Sequence, residues 1–242
     1  MTLREAWTEF IVADDYEQHM AAIGQAQANA LLVAELVAAA QPQTGSRVLI
    51  AGAGTGQMFE YCPAGLWDAF DLTCSDLNPT FLRKLRSRHA CTTAVDDIED
   101  SRLDPGFSLI VVVLVLEHVD WRKALASLAR LRPERVAIVI QGNPEGRLPQ
   151  RERPGTMRLF GTELNPKFLD AGEIVAEFAR RGFALRSQAE RPVPDGKTMA
   201  GLLFARGAGD LRRGNPPSAL TASPRSPERT LSPSAFKPGT HS

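Results

Sequence analysis

Three glycines spaced two apart, Gly52, Gly54 and Gly56, follow four apolar residues in Val48–Gln57, VLIAGAGTGQ. A buried strand that stops in glycines lets the backbone turn sharply and approach a ligand with no Cβ in the way. Gln57–Tyr61 is expected to begin a helix whose free N–H groups point back toward that ligand. Further along the chain, polar residues close successive apolar stretches. Asp76 follows FDLTCS, Asp97-Ile98 follows Cys91–Val95, and Glu117-His118 follows FSLIVVVLVL. A carboxylate at Asp76 can accept both hydroxyls of a ribose, and one at Asp97 can accept from an exocyclic amine while Ile98 covers an adenine face. Acids also cap helices and start turns. Their recurrence at consecutive strand ends after a glycine turn is hard to explain as capping.

The elements that must carry these residues alternate. Strands are expected at Arg47–Ile50, Phe70–Ser75, Cys91–Val95, Phe107–Leu116 and Arg135–Gln141. Helices are expected at Pro79–His89, Asp120–Leu131 and Phe168–Arg181, the last closed by Gly182. Phe183–Gln188 and Thr198–Arg206, joined through Pro194-Asp195-Gly196, form an antiparallel pair. This order predicts an α/β, doubly wound, mostly parallel seven-stranded sheet with right-handed crossovers and a C-terminal antiparallel hairpin. Ligands bind such sheets at the carboxyl ends of the strands, where the residues above converge. Residues 1–45 read as an N-terminal helical lid or cap, either packed on the sheet edge or turning Tyr16 or His19 toward the ligand. Residues 46–206 form the ligand-binding domain. From 207 to 242 the composition is Pro, Ser and Arg rich and reads as a disordered tail with three Ser-Pro dipeptides.

Composition narrows the function. Lys+Arg 28 against Asp+Glu 28 gives no net charge, so nothing global favours nucleic acid or an anionic membrane. The longest apolar run, Leu109–Leu116, falls short of the ~20 residues that span a bilayer. Neither a signal peptide nor a membrane segment is expected. Cys62, Cys74 and Cys91 lack CxxC spacing and read as reduced thiols of a cytoplasmic protein, with no zinc or other metal site. The glycines fit G-x-G-x-G. A dinucleotide fingerprint needs a glycine where Gln57 stands, and no Walker lysine follows.

With these residues in view, the chain resembles the class I S-adenosylmethionine-dependent methyltransferases over about residues 46–206. The resemblance implies S-adenosyl-L-methionine as cofactor. It places Gly52, Gly54 and Gly56 with Gln57 against the methionyl part, Asp76 with Leu77 at the ribose, and Asp97 with Ile98 at the adenine. Leu114–Trp121, LVLEHVDW, is similar to the post-strand motif of small-molecule methyltransferases, where Glu117 and His118 face cofactor and acceptor. Tyr16, from the lid, is a further cofactor contact. Two positions depart from the family pattern. The acid usual two residues before the first glycine is Ile50, and the acid usual at the start of the fourth strand is Ser108.

The expected activity is methyl transfer to a small-molecule oxygen, nitrogen or carbon by in-line displacement. His118 is the candidate general base, because its pKa lies near working pH. The competing role for His118 is packing over the cofactor. Acceptor choice falls to the loop Gly142–Pro166, whose Arg147, Arg151, Arg153 and Arg158 read first as a solvated surface. Its Asn143-Pro144 follows the fifth strand and lacks the aromatic of the amino-methylating nucleic-acid motif. One alternative is a protein or RNA acceptor, against which stands the absence of basic character or an appended recognition domain. Another is a non-catalytic cofactor-binding module, supported only by Ile50. A nicotinamide oxidoreductase is disfavoured by the glycine spacing.

Overall fold

The computed structural model describes residues 1–142, 153–160, 166–193 and 196–207. The continuous apolar run of the sequence becomes β4, Leu109–Val113, at the centre of a seven-stranded sheet. It lies between β1, Arg47–Ala51, and β5, Arg135–Gly142. β2, Asp71–Asp76, and β3, Thr92–Val95, extend the parallel part in the order β3-β2-β1-β4-β5. β7, Thr198–Arg206, pairs antiparallel with β5 on one side and with β6, Phe183–Pro192, on the other. β7 is buried along most of its length and β6 alternates half-buried and exposed after Phe183, as inner and edge strands should.

Helices cover both faces. α5, Trp121–Arg130, and α6, Ala171–Ala179, bury Leu125, Leu128, Ile174 and Phe178 against one face. Phe178 stacks on Phe183 at 4.8 Å and meets Phe204 edge-on at 4.9 Å. α3, Gln25–Ala40, and α4, Pro79–Arg86, cover the other, with Leu32, Val33, Leu36 and Leu85 packed on Ile50, Leu109 and Val111. Asn78, Asp120 and Asp170 cap α4, α5 and α6 by accepting from backbone N–H groups of the first turn. The N-terminal segment is thus divided. α3 belongs to the core of the sheet. Residues 1–23, including α1, Leu3–Glu5, a π turn at Ala6–Phe10 and α2, Ala13–Ala22, gather Ala6 and Ile11 with Phe81, Met157 and Phe160 over the strand ends.

The helices expected at Pro79–His89 and Phe168–Arg181 are trimmed to Pro79–Arg86 and Ala171–Ala179, and two elements next to the site are shorter than the sequence suggests. Gln57–Tyr61 is a single 3₁₀ turn where a crossover helix was expected. Pro63 accounts for this: Cys62 before it is extended, at φ −70° and ψ 151°, and no helix can continue. Gly56, the residue before this turn, donates its N–H to Ala53 O at 3.2 Å. The fourth strand ends at Val113, before the expected Leu116, because β1 runs out into the glycine turn and leaves it unpaired there. Leu114 turns the chain at φ 56°, and Leu116–His118 forms a 3₁₀ turn. That turn sets Glu117 and His118 beside the other strand ends. Asn143-Pro144, Arg147, Arg151, the Pro194-Asp195 turn and residues 208–242 lie outside the described residues. No single described helix is long and apolar enough to cross a membrane.

Candidate active site

The glycine turn is held to the next strand by hydrogen bonds. Gly52 and Ala53 N–H groups donate to Ser75 O at 2.8 and 2.9 Å. Gly54 N–H donates to Asp76 Oδ2 at 2.8 Å, and Asn78 N–H donates to Asp76 Oδ1 at 2.8 Å. Asp76 therefore organises the turn as well as facing the cavity, and each of its oxygens keeps accepting capacity. Burial pushes its carboxyl up, with the N–H groups of Asn78 and Gly54 pulling the other way. Gly52, Gly54 and Gly56 all have left-handed backbone, with φ of 72°, 59° and 77°. Their surroundings differ. A Cβ on Gly52 would collide with the Val115 side chain, whereas one on Gly54 would meet only the Tyr16 ring, at 3.9 Å. A Cβ on Gly56 would press into Leu85 and His89 of the α4 region.

Asp76, Leu77, Asp97, Ile98, Glu117, His118, Tyr16, Gly52 and Gly54 line one cavity of about 210 Å³ at the strand ends. Gly56 and Gln57 face a smaller neighbouring cavity, and Gln57 Nε2 donates to Glu17 O at 3.0 Å. At the far end Asp97 Oδ1 accepts from Glu99 N–H at 3.0 Å, and Asp97 Oδ2 is paired with Arg4 at 2.6 Å. Ile98 is buried beside it.

At the opposite end Glu117 Oε1 accepts from Gln141 N–H at 2.7 Å, while its Oε2 has no partner. Burial raises the Glu117 carboxyl to about 7. His118 shows the reverse shift: burial lowers it to about 4, so the ring is neutral at working pH. Its Nδ1 is enclosed without a hydrogen bond. Trp7 and Phe160 meet the imidazole edge-on at 5.1 and 5.7 Å. Trp7 Nε1, also buried, has no acceptor.

Trp7, Phe160, Met157 and Arg4 are site residues that the sequence reading did not single out. Trp7 stood there only as an aromatic in a helical stretch, and nothing local marks it as a neighbour of His118. Arg153 does line the cavity, while Arg158 Nε is turned to Gly155 O at 3.1 Å.

The cavity runs past Asp97, Asp76 and Gly52, with the Tyr16 ring over Gly54. Residues 49–139 match the family model described as a methyltransferase domain. None of the curated proteins matches the chain. Solved structures share the fold at low identity. The magnesium protoporphyrin IX methyltransferase of Synechocystis PCC 6803 with bound SAM is 15% identical, with TM-score 0.56, over 75% of this chain and 79% of that one. The N-methyltransferase NodS of Bradyrhizobium japonicum WM9, in complex with S-adenosyl-L-homocysteine, is 16% identical, with TM-score 0.53, over 73% and 84%. A Haloferax volcanii protein in complex with the methyltransferase activator Trm112 is 13% identical, with TM-score 0.62, over 86% and 99%. Residues 49–139 thus carry a methyltransferase domain on the fold of S-adenosylmethionine-dependent methyltransferases, and that domain implies S-adenosylmethionine as cofactor.

Proposed function

We propose that the enzyme methylates a small, largely apolar acceptor bound between Trp7, Met157 and Phe160, at an oxygen or nitrogen presented to His118. The observation that carries this reading is the set of unpartnered polar atoms in an otherwise aromatic wall: Trp7 Nε1, His118 Nδ1 and Glu117 Oε2. A buried N–H without an acceptor is costly, and an acceptor heteroatom would relieve it. When bound, the cofactor supplies an activated methyl group on a sulfonium. Asp97 with Ile98, Asp76 with Leu77, and the Gly52–Gly54 backbone would hold its adenine, ribose and methionyl parts, with Tyr16 beside them. Gly56 and Gln57 support the turn from behind.

Trp7 and Phe160 orient the acceptor and exclude water, and alignment of this kind supplies up to ~7–11 kcal/mol of a displacement barrier. The wall would hold the acceptor heteroatom in line with the methyl group that the cofactor would supply. The acceptor proton passes to neutral His118, whose Nδ1 is unprotonated or can become so by tautomer exchange. Glu117, bonded to Gln141 N–H, fixes the turn that carries His118.

The test is methyl transfer to a panel of hydrophobic phenols and amines, read by S-adenosylhomocysteine release. His118→Gln is expected to lower kcat about 10²-fold or more on phenols, the range for a general base. An unchanged kcat on every acceptor that is turned over would remove His118 from the proton's path. Activity confined to protein or RNA would overturn the small-molecule reading.

A further inference from the structure

Two of the three side chains around the acceptor come from a separate stretch of chain. Gly155–Leu159 forms a 3₁₀ turn that carries Met157, and Phe160 follows directly. Both are buried against Ala6, Ile11 and Phe81, and both line the main cavity. At the base of this turn Asp15 Oδ2 accepts from Thr156 N–H at 2.7 Å and from the Thr156 hydroxyl at 2.8 Å. Thr156 Oγ1 accepts in turn from Val12 N–H at 3.0 Å. The Thr156 N–H, and after it the hydroxyl, hold the Asp15 carboxyl below the usual carboxylate range. Gly155 makes room for that carboxylate: its backbone is left-handed, at φ 44°, and a Cβ there would collide with Asp15.

Asp15 stands in the first turn of α2, where an acid can act through the helix dipole alone. Here its carboxylate instead meets two donors of one residue from a distant segment. Its neighbour Tyr16 lies over Gly54 and stacks on Phe81 at 5.8 Å. Two adjacent residues of one helical turn thus reach the acceptor wall and the glycine turn. Asp15 is not among the described residues that line the cavity, so it acts through the wall.

We propose that Asp15 is a positioning residue for the transfer: by clasping Thr156 it sets Met157 and Phe160 against Trp7 and fixes their distance from the glycine turn. This rests on the acceptor lying between those side chains.

Two variants break the clasp from opposite sides, Asp15→Ala and Gly155→Ala, and the panel acceptor turned over fastest serves as the probe. Each is expected to lower acceptor kcat/KM about ten-fold or more, as for lost hydrogen bonds to a charged group, with S-adenosylhomocysteine affinity by calorimetry held within about two-fold. The double variant should be no worse than either single one, because both remove the same contact. Thr156→Ser, which keeps both donors, should retain the acceptor kcat/KM. The His118 imidazole gives a readout that needs no acceptor: Phe160 meets it edge-on, so loosening the wall should move its NMR titration upward in both variants. An unmoved imidazole with unchanged kcat/KM, additive losses in the double variant, or equal weakening of S-adenosylhomocysteine would overturn the inference. If the unaltered enzyme turns over no small acceptor, the reading beneath falls, and the His118 titration then decides by itself for or against the clasp.

Discussion

Glu117 and His118 are adjacent on one turn and titrate in opposite directions. Glu117, raised from 4.5 to about 7, keeps a proton in the folded state that the unfolded chain loses, so its contribution to stability is present below pH 4.5 and lost as pH rises to about 7. His118, lowered from 6.5 to about 4, contributes stability above pH 6.5 that is lost as pH falls to about 4. The two slopes oppose each other across the shared window. The Glu117→Gln variant should therefore gain stability as pH rises from 4 to 6.5, and His118→Phe should lose it from 4.5 to 7, in urea unfolding at stepped pH. Parallel pH profiles for the two variants would contradict the assignment. The glycines make a second pair. Gly52→Ala meets the Val115 side chain on top of backbone strain and should not yield a stable fold. Gly54→Ala meets only the Tyr16 ring at ordinary contact distance and should cost only the left-handed backbone, about 1–2 kcal/mol by denaturant titration.

Two elements of the N-terminal segment have separate jobs. α3 is structural: Leu36 is fully buried against the sheet and lies close to Gly201 of β7, which has no side chain in its way. Leu36→Ala should cost about 2–5 kcal/mol of unfolding free energy, as other large-to-small core changes do. Residues 3–11 instead form a strap across the strand ends, anchored by Arg4 on Asp97 and by Trp7 among Tyr16, Phe81, His118 and Phe160. Burial is the only cause of the His118 shift. Removing the Trp7 ring should return the imidazole toward its usual pKa, seen as an upward move in its NMR titration; no movement would mean the strap does not enclose it. The sequence showed that helices precede β1, since Gln25–Ala40 is built of strong helix formers. It did not show which part covers the site. Contacts such as Trp7 with His118 join distant segments, and no local pattern encodes them. A helix was expected from Gln57–Tyr61, and Pro63 stops it after one turn.

At the scale of the molecule, the topology was readable because parallel strands and their crossovers leave separate marks. The continuous apolar run marked β4 as a central strand and the Pro194-Asp195-Gly196 connection marked an antiparallel pair, while the structure shows β7 inside and β6 at the edge. The strand ends then named most of the cavity: Gly52, Gly54, Asp76, Leu77, Asp97, Ile98, Glu117 and His118 all line it. Gly56 and Gln57 were drawn in by spacing alone. Three-dimensional packing puts them behind the turn, where Gly56 makes room for Leu85. The wall around Trp7 was the least legible part, because Met157 and Phe160 follow no period and meet Trp7 only through the fold. The site as a whole stands or falls on the cofactor. Calorimetry of the full chain with S-adenosylmethionine should give saturable binding at one site, and Asp76→Ala, which frees the Gly54 N–H as well as removing the carboxylate, should weaken it about ten-fold or more. No binding by the unaltered protein, or equal binding by the variant, would contradict the account.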